Sequence, residues 1–139
     1  MHLRWKLCVV VGGGTGPGHE VCLRLARAGA GLLVVDTDAA AAESTAELTR
    51  SSRVSAWSLT ADPADDQDLD LVAARARDLG GADLVVITGV DPARARDVAA
   101  RLVAEPRMVG LVGDDDVQVA VAVVEHLGTA EPGTAVVIG

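Results

Sequence analysis

The chain has 139 residues, half of them hydrophobic, with twelve basic against twenty acidic side chains and a net charge of -8. That length fits a single domain over residues 1–139 around one core, and the charge opposes wrapping a nucleic acid backbone by counterion release. No apolar run reaches the ~18 residues of a membrane span, and the start MHLRWKLCVVVGGG lacks the apolar core and cleavage site of a signal peptide, so a cytoplasmic protein is expected.

In chain order, LCVVV (7–11) reads as a fully buried strand, and HEVCLRLARAG (19–29) as a helix with Val21, Cys22, Leu25 and Ala28 on one face and Gly29 closing it. GLLVVD (31–36) is a second buried strand, followed by the Ala-rich helix TDAAAAESTAELTR (37–50), which Thr37 or Asp38 can cap. RVSAWSLTAD (53–62) is a third strand of weaker apolarity, suited to an edge. PADDQDLDLVAARARDLGG (63–81) opens with Pro and acids and ends in Gly-Gly, the punctuation of a helix. ADLVVITG (82–89) is the fourth strand.

DPARARDVAARLVAE (91–105) is helical by pattern and Pro106 ends it, while RMVGLVG reads as a short extended piece outside the strand count. DDDVQVAVAVVEHLG (114–128) carries two signals. Its β-branched residues suit a strand, but three leading acids and Gly128 suit a capped helix, the preferred reading. The fifth strand lies in PGTAVVIG and is expected to close the sheet, with Val136, Val137 and Ile138 unpaired on one side. Strands alternating with helices predict a doubly wound, Rossmann-like parallel α/β sheet of about five strands in the order 3-2-1-4-5. With no Phe or Tyr, and only Trp5 and Trp57 as aromatics, the core must be aliphatic.

VVVGGGTGPG (9–18) sets five glycines directly behind three valines. At a strand-to-helix junction the first helical N–H groups are unpaired and the dipole is positive, so glycines there let a pyrophosphate approach the backbone. Gly12, Gly16 and Gly18, with Pro17 between the last two, have the spacing G-x-x-x-G-x-G; the alternative is a tight turn with no ligand. Asp36 ends the second strand, where an acid can accept hydrogen bonds from an adenine ribose; the alternative is an N-cap for the next helix. A carboxylate there repels a 2′-phosphate, and neither Thr15 nor Thr37 supplies the Arg that phosphate needs, so NAD is favoured over NADP.

Other candidates read as structural. Cys8 and Cys22 are expected as two buried thiols rather than a disulfide or metal pair. His19 reads as a solvated first-turn residue, the alternative being a contact with a phosphate or a partner strand; His126 reads as a cation at a helix end, and His2 is terminal. Asp114, Asp115 and Asp116 form a solvated helix start, and no metal site is predicted.

At this point the residues resemble the N-terminal half of the short-chain dehydrogenase/reductase family. VGGGTGPG is similar to its cofactor loop, Asp36 to its ribose-binding acid, and Asp62 in TADP to its acidic residue near the adenine. DLVVITGV (83–90) resembles the stretch where the family carries Asn-Asn-Ala-Gly, which implies a cofactor contact at Gly89. Val11 replaces the usual Thr before the first glycine, and Ile87, Thr88, Gly89 and Val90 stand in place of the Asn-Asn-Ala-Gly set. The resemblance implies hydride transfer by Ser, Tyr and Lys, yet the chain has no Tyr and no Asn, and its only lysine is Lys6.

The expected function is therefore a cut-down NAD-binding member that is non-catalytic or complex-forming. The alternatives are an enzyme of different mechanism that uses the same cleft or is completed by a partner chain, and a fragment of an ordinary NAD-dependent dehydrogenase. VQVAVAVVEHL (117–127) is apolar nearly all round, and in the family such helices commonly form the dimer interface. A homodimer, or a heteromer with a related protein, is expected to bury Val117, Val121 and Val124.

Overall fold

The computed structural model describes residues 3–139, so Met1 and the terminal His2 lie outside the described residues. Eleven elements alternate along the chain: β1 (Leu7–Val11), α1 (Gly16–Arg27), β2 (Gly31–Asp36), α2 (Ala39–Arg50), β3 (Ala56–Thr60), α3 (Asp66–Asp78), β4 (Leu84–Thr88), α4 (Pro92–Leu102), β5 (Arg107–Leu111), α5 (Asp116–Thr129) and β6 (Thr134–Ile138). The strands form one six-stranded parallel sheet in the order β3-β2-β1-β4-β6-β5. The doubly wound α/β architecture is as the sequence indicates, with one strand more than the five expected.

The extra strand corrects one expectation. Residues 107–111 form β5 at the sheet edge, and β6 lies inside it, so Val136 pairs with Val86 on one side and Val109 on the other. The last strand has no bare edge. Sequence pattern undervalued β5 because an edge strand is half covered: Arg107, Met108 and Gly110 are exposed, which breaks the apolar run that marks a buried strand.

The reversal between β5 and β6 decides where α5 sits. Right-handed crossovers that travel from β3 to β4 and on to β5 place α3 and α4 on one face, and a step back from β5 to β6 must cross on the other. The packing agrees. α1, α2 and α5 share a core with Cys8, Val10, Leu32, Val34, Val86 and Val136, whereas α3 and α4 pack on Val9, Val11, Leu33, Val35, Val85 and Ile87.

α5 is a helix, as preferred, and packs beside α1. It buries Val119, Ala120, Val123 and Leu127, which leaves Val117 at 42% exposure and Val121 and Val124 half-buried. Cys8 and Cys22 are free and buried on this side of the sheet. Burial pushes both thiols well above the usual range, with Asp83 adding to the effect at Cys8 and Cys8 itself at Cys22.

Four helices begin with an aspartate whose carboxylate accepts from the first-turn backbone: Asp38 from Ala41, Asp65 from Asp68, Asp91 from Arg94 and Asp115 from Gln118. α1 has no such cap.

On the opposite face, Asp66 at the start of α3 joins α4 through Arg94 at 2.8 Å and Arg101 at 3.4 Å, and Arg101 also reaches Asp70 at 2.8 Å. The Arg94 hydrogen bond, then the charges of Arg101 and Arg94, hold the Asp66 carboxyl below the usual aspartate range. A carboxyl lowered in the folded state contributes stability above its unfolded value and loses it as pH falls through the folded one. Asp66→Asn should therefore lower the melting temperature by a few degrees at neutral pH, as expected of an exposed pair. The gap between variant and wild type should close as thermal melts are repeated at progressively more acidic pH.

Candidate functional site

The parallel strands deliver their following loops to one end of the sheet, and β1 and β4 connect to helices on opposite faces. A crevice opens where two such connections diverge. Gly12, Gly16, Pro17 and Gly18 follow β1, Asp36 ends β2, Asp62 follows β3 and Gly89 follows β4. All the cofactor-site residues named from the sequence thus stand at this one end.

Local packing separates the glycines into two groups. A Cβ at Gly12 would lie 2.7 Å from Thr88 Cγ2 and 2.9 Å from its carbonyl oxygen, and one at Gly18 would overlap the carbonyl oxygen of Gly12. These two glycines are needed to press the turn and the first turn of α1 against β1 and β4. Gly16 is different. Its Cβ position meets only Asp116 Oδ2, at 3.8 Å, so no close packing demands a glycine there. Its φ of +59° does, and apart from that one carboxylate oxygen the space above its backbone is open.

That open space lies at the start of α1. Thr15 is the N-cap, with φ -146° and ψ 171°, and its side chain makes no capping hydrogen bond. Pro17 in the first turn has no N–H to leave unpaired, and the amides of Gly16 and Gly18 have no intrahelical acceptor. The arrangement offers backbone donors and a positive helix end to an external anion.

Asp36 faces the same turn. Its Oδ2 accepts from the Gly14 N–H at 2.9 Å and its Oδ1 from the Asp38 N–H at 3.0 Å. A Cβ at Gly14 would sit 2.7 Å from that Oδ2, so the third glycine of the run makes room for the carboxylate. The cap of α2 is Asp38, not Asp36. The two bonds fix the Asp36 side chain in a half-buried position, and a carboxylate has further lone pairs to offer. Asp62 is exposed, accepts from the Ala64 N–H at 2.9 Å, and follows Ala61, whose N–H donates to the Asp36 carbonyl at 3.0 Å. Gly89 is exposed, with φ +76°.

Two contacts were not visible in the sequence. His19 is not simply solvated: its Nδ1 lies 2.8 Å from Thr45 Oγ1 of α2, and that hydroxyl reaches the Gly14 carbonyl at 3.5 Å. The pair braces the glycine turn against α2. The second is Asp116, whose carboxylate stands over Gly16 because α5 crosses on the face of α1. Neither has a local signal, since both join residues far apart in the chain. Among the described residues no group of three His, Cys, Asp or Glu could hold a metal ion, and no helix is long and apolar enough to cross a membrane.

The short chain dehydrogenase family profile matches residues 6–138. No curated protein matches the sequence. Among solved structures, the chain is similar to a xylitol dehydrogenase with NAD+ bound, at 22% identity and a TM-score of 0.58, over 73% of this chain and 44% of that one. It is also similar to the RhlG protein of Pseudomonas aeruginosa in complex with NADP, at 21% identity and TM-score 0.62, over 81% of this chain and 54% of that one. A citronellol catabolism dehydrogenase of Pseudomonas aeruginosa PAO1 superposes with TM-score 0.75 at 14% identity, over 99% of this chain and 94% of that one. The chain thus spans about half the length of the first two.

Proposed function

The chain belongs to the short-chain dehydrogenase family, and we propose that it binds a nicotinamide dinucleotide at the β1–α1 turn, NAD in preference to NADP, as a non-catalytic or complex-forming subunit. The observation that carries this reading is the uncapped start of α1 with open space over Gly16, beside an Asp36 carboxylate already oriented by two backbone amides. The residues fit the group. Gly16, Pro17 and Gly18 would hold the pyrophosphate, with Gly12 setting the turn; Asp36 would accept from the adenine ribose hydroxyls, Asp62 would lie by the adenine and Gly89 on the nicotinamide side. The bound cofactor would supply a hydride-accepting ring.

A 2′-phosphate would bring its negative charge against Asp36, which supports NAD over NADP. The non-catalytic part rests on composition. The family's reaction, as the resemblance implies it, uses a Tyr as general acid/base with a Lys beside it, and this sequence has no Tyr. Lys6, its one lysine, precedes β1 and so lies at the other end of the sheet.

Calorimetry should show NAD binding more tightly than NADP, and Asp36→Ala should weaken NAD about tenfold while narrowing the preference, the loss expected of a charge-assisted hydrogen bond. No heat from either nucleotide at millimolar concentration would overturn the proposal. Purified protein should leave NADH absorbance unchanged with simple carbonyls; sustained turnover that Gly16→Trp abolishes would sink the non-catalytic part.

Asp116 adds a term of opposite sign. Its carboxylate would face the pyrophosphate, so Asp116→Asn should tighten NAD by about two- to fivefold at low salt, with the gain shrinking as salt screens it. Equal affinities for variant and wild type would place that carboxylate out of range.

We also propose that the outer side of α5 forms an interface with a second copy or a related protein. Support comes from Val117, exposed at 42%, and the half-buried Val121 and Val124 along the same helix. Val121→Glu should shift light scattering of an associated wild type toward monomer, since a charge buried without a partner is costly. A wild-type monomer at high micromolar concentration would exclude self-association.

A further inference from the structure

At the N-terminal end of the strands, opposite the glycine turn, the protein has a cavity of about 540 Å³. Its charged lining residues are Arg4, Lys6, Arg27 and Arg53, and no Asp or Glu lines it. One third of the twelve cations of an otherwise acidic chain are therefore gathered in one place. None of the four makes an ion pair among the described residues.

Helix ends account for only part of this charge. The C-termini of α1, α2 and α3 reach this end of the sheet and together present roughly one and a half negative charges, fewer than the four full positive ones. Asp83, whose carboxylate accepts from the N–H of the lining residue Leu7 at 2.9 Å, offsets one more, which still leaves a net positive field inside a concave site, where low-dielectric walls concentrate it.

The aromatic residues point to the same place. Trp5 and Trp57, the only two aromatics in the sequence, both line the cavity. Trp5 is 90% exposed, the opposite of what its apolar area favours. Trp5 and Arg53 also hold φ angles of +69° and +62°, a left-handed backbone that costs energy in residues with side chains. The backbone belongs to local turns, with Lys6 N–H donating to the Leu3 carbonyl and Arg53 N–H to the Arg50 carbonyl, but packing against the rest of the protein does not account for the exposure of Trp5.

We propose that this cavity is a binding site for a small anion bearing a planar ring, of the size of a nucleoside monophosphate. The volume lies in the range of small-molecule sites. An indole face suits a planar ring, and an arginine cluster suits a phosphate by paired charge-assisted hydrogen bonds. This site is independent of the dinucleotide site, which occupies the other ends of the strands.

Because the sequence has no Tyr, protein emission arises only from Trp5 and Trp57 and reads this cavity directly. Titration with AMP should give a saturable change in tryptophan emission, with adenosine and inorganic phosphate each at least about tenfold weaker. Arg4→Gln combined with Arg53→Gln should weaken AMP by at least about tenfold. Trp5→Leu, a change at an exposed position that carries the test if the double variant does not fold, should weaken it measurably by calorimetry. Asp36→Ala, which impairs the other site, should leave the emission response intact.

The proposal is overturned by emission that does not change up to about 10 mM AMP, by a response that survives both sets of cavity variants, or by one that disappears with Asp36→Ala. A failure of NAD to bind would leave the AMP response unaltered, so the two readings fail separately.

Discussion

The contact between Gly18 and the carbonyl oxygen of Gly12 governs the working end of this protein. Only a hydrogen atom fits between them, and α1 therefore starts pressed against the end of β1. Gly12 in turn lies against Thr88 of β4, so the same turn is wedged between the two strands whose connections part company. The result is a helix start held rigidly at the mouth of the crevice. Its amides are aimed by backbone packing instead of by a capping side chain, and they remain available because no aspartate occupies them.

The return of β6 to the inner side of β5 has an effect well beyond the sheet edge. It sends α5 across on the face of α1, so two helix starts converge at one point. α5 satisfies its own first turn with Asp115, whereas α1 leaves its positive end uncovered. Asp116, carried along by α5, then stands near that positive end. Strand order, a property of topology, has become a property of charge in the crevice.

Much of the architecture was legible because each buried strand is a continuous aliphatic run and each of four helices opens on an aspartate. Asp36 and the glycines could be singled out because each stands at a strand end or a strand-to-helix turn, a local signal, whereas their packing on Gly14 and Thr88 joins separate units. β5 was harder, since Arg107 and Met108 face solvent and mimic a loop. The order of the last two strands could not be read from either segment alone, because both have short helical connections and only packing chooses between positions. Likewise Thr45 gives no hint in sequence that it braces His19, and Asp116 looked like one member of a solvated acidic triplet. Apart from β5, what escaped the sequence was a relation between distant residues.

The two buried cysteines give the molecule a built-in clock for its own opening. Cys8 is in the central strand and Cys22 in the helix that covers it, both fully enclosed, with thiols that burial keeps protonated. A thiolate is the reactive form, so an alkylating reagent finds neither sulfur while this layer is closed. Local fraying at the termini or in loops would not release them, because their shelter is the β1–α1 unit itself. The rate at which these sulfurs are labelled therefore counts departures of the glycine-turn unit from its native place, and any molecule that settles on that turn must slow the count.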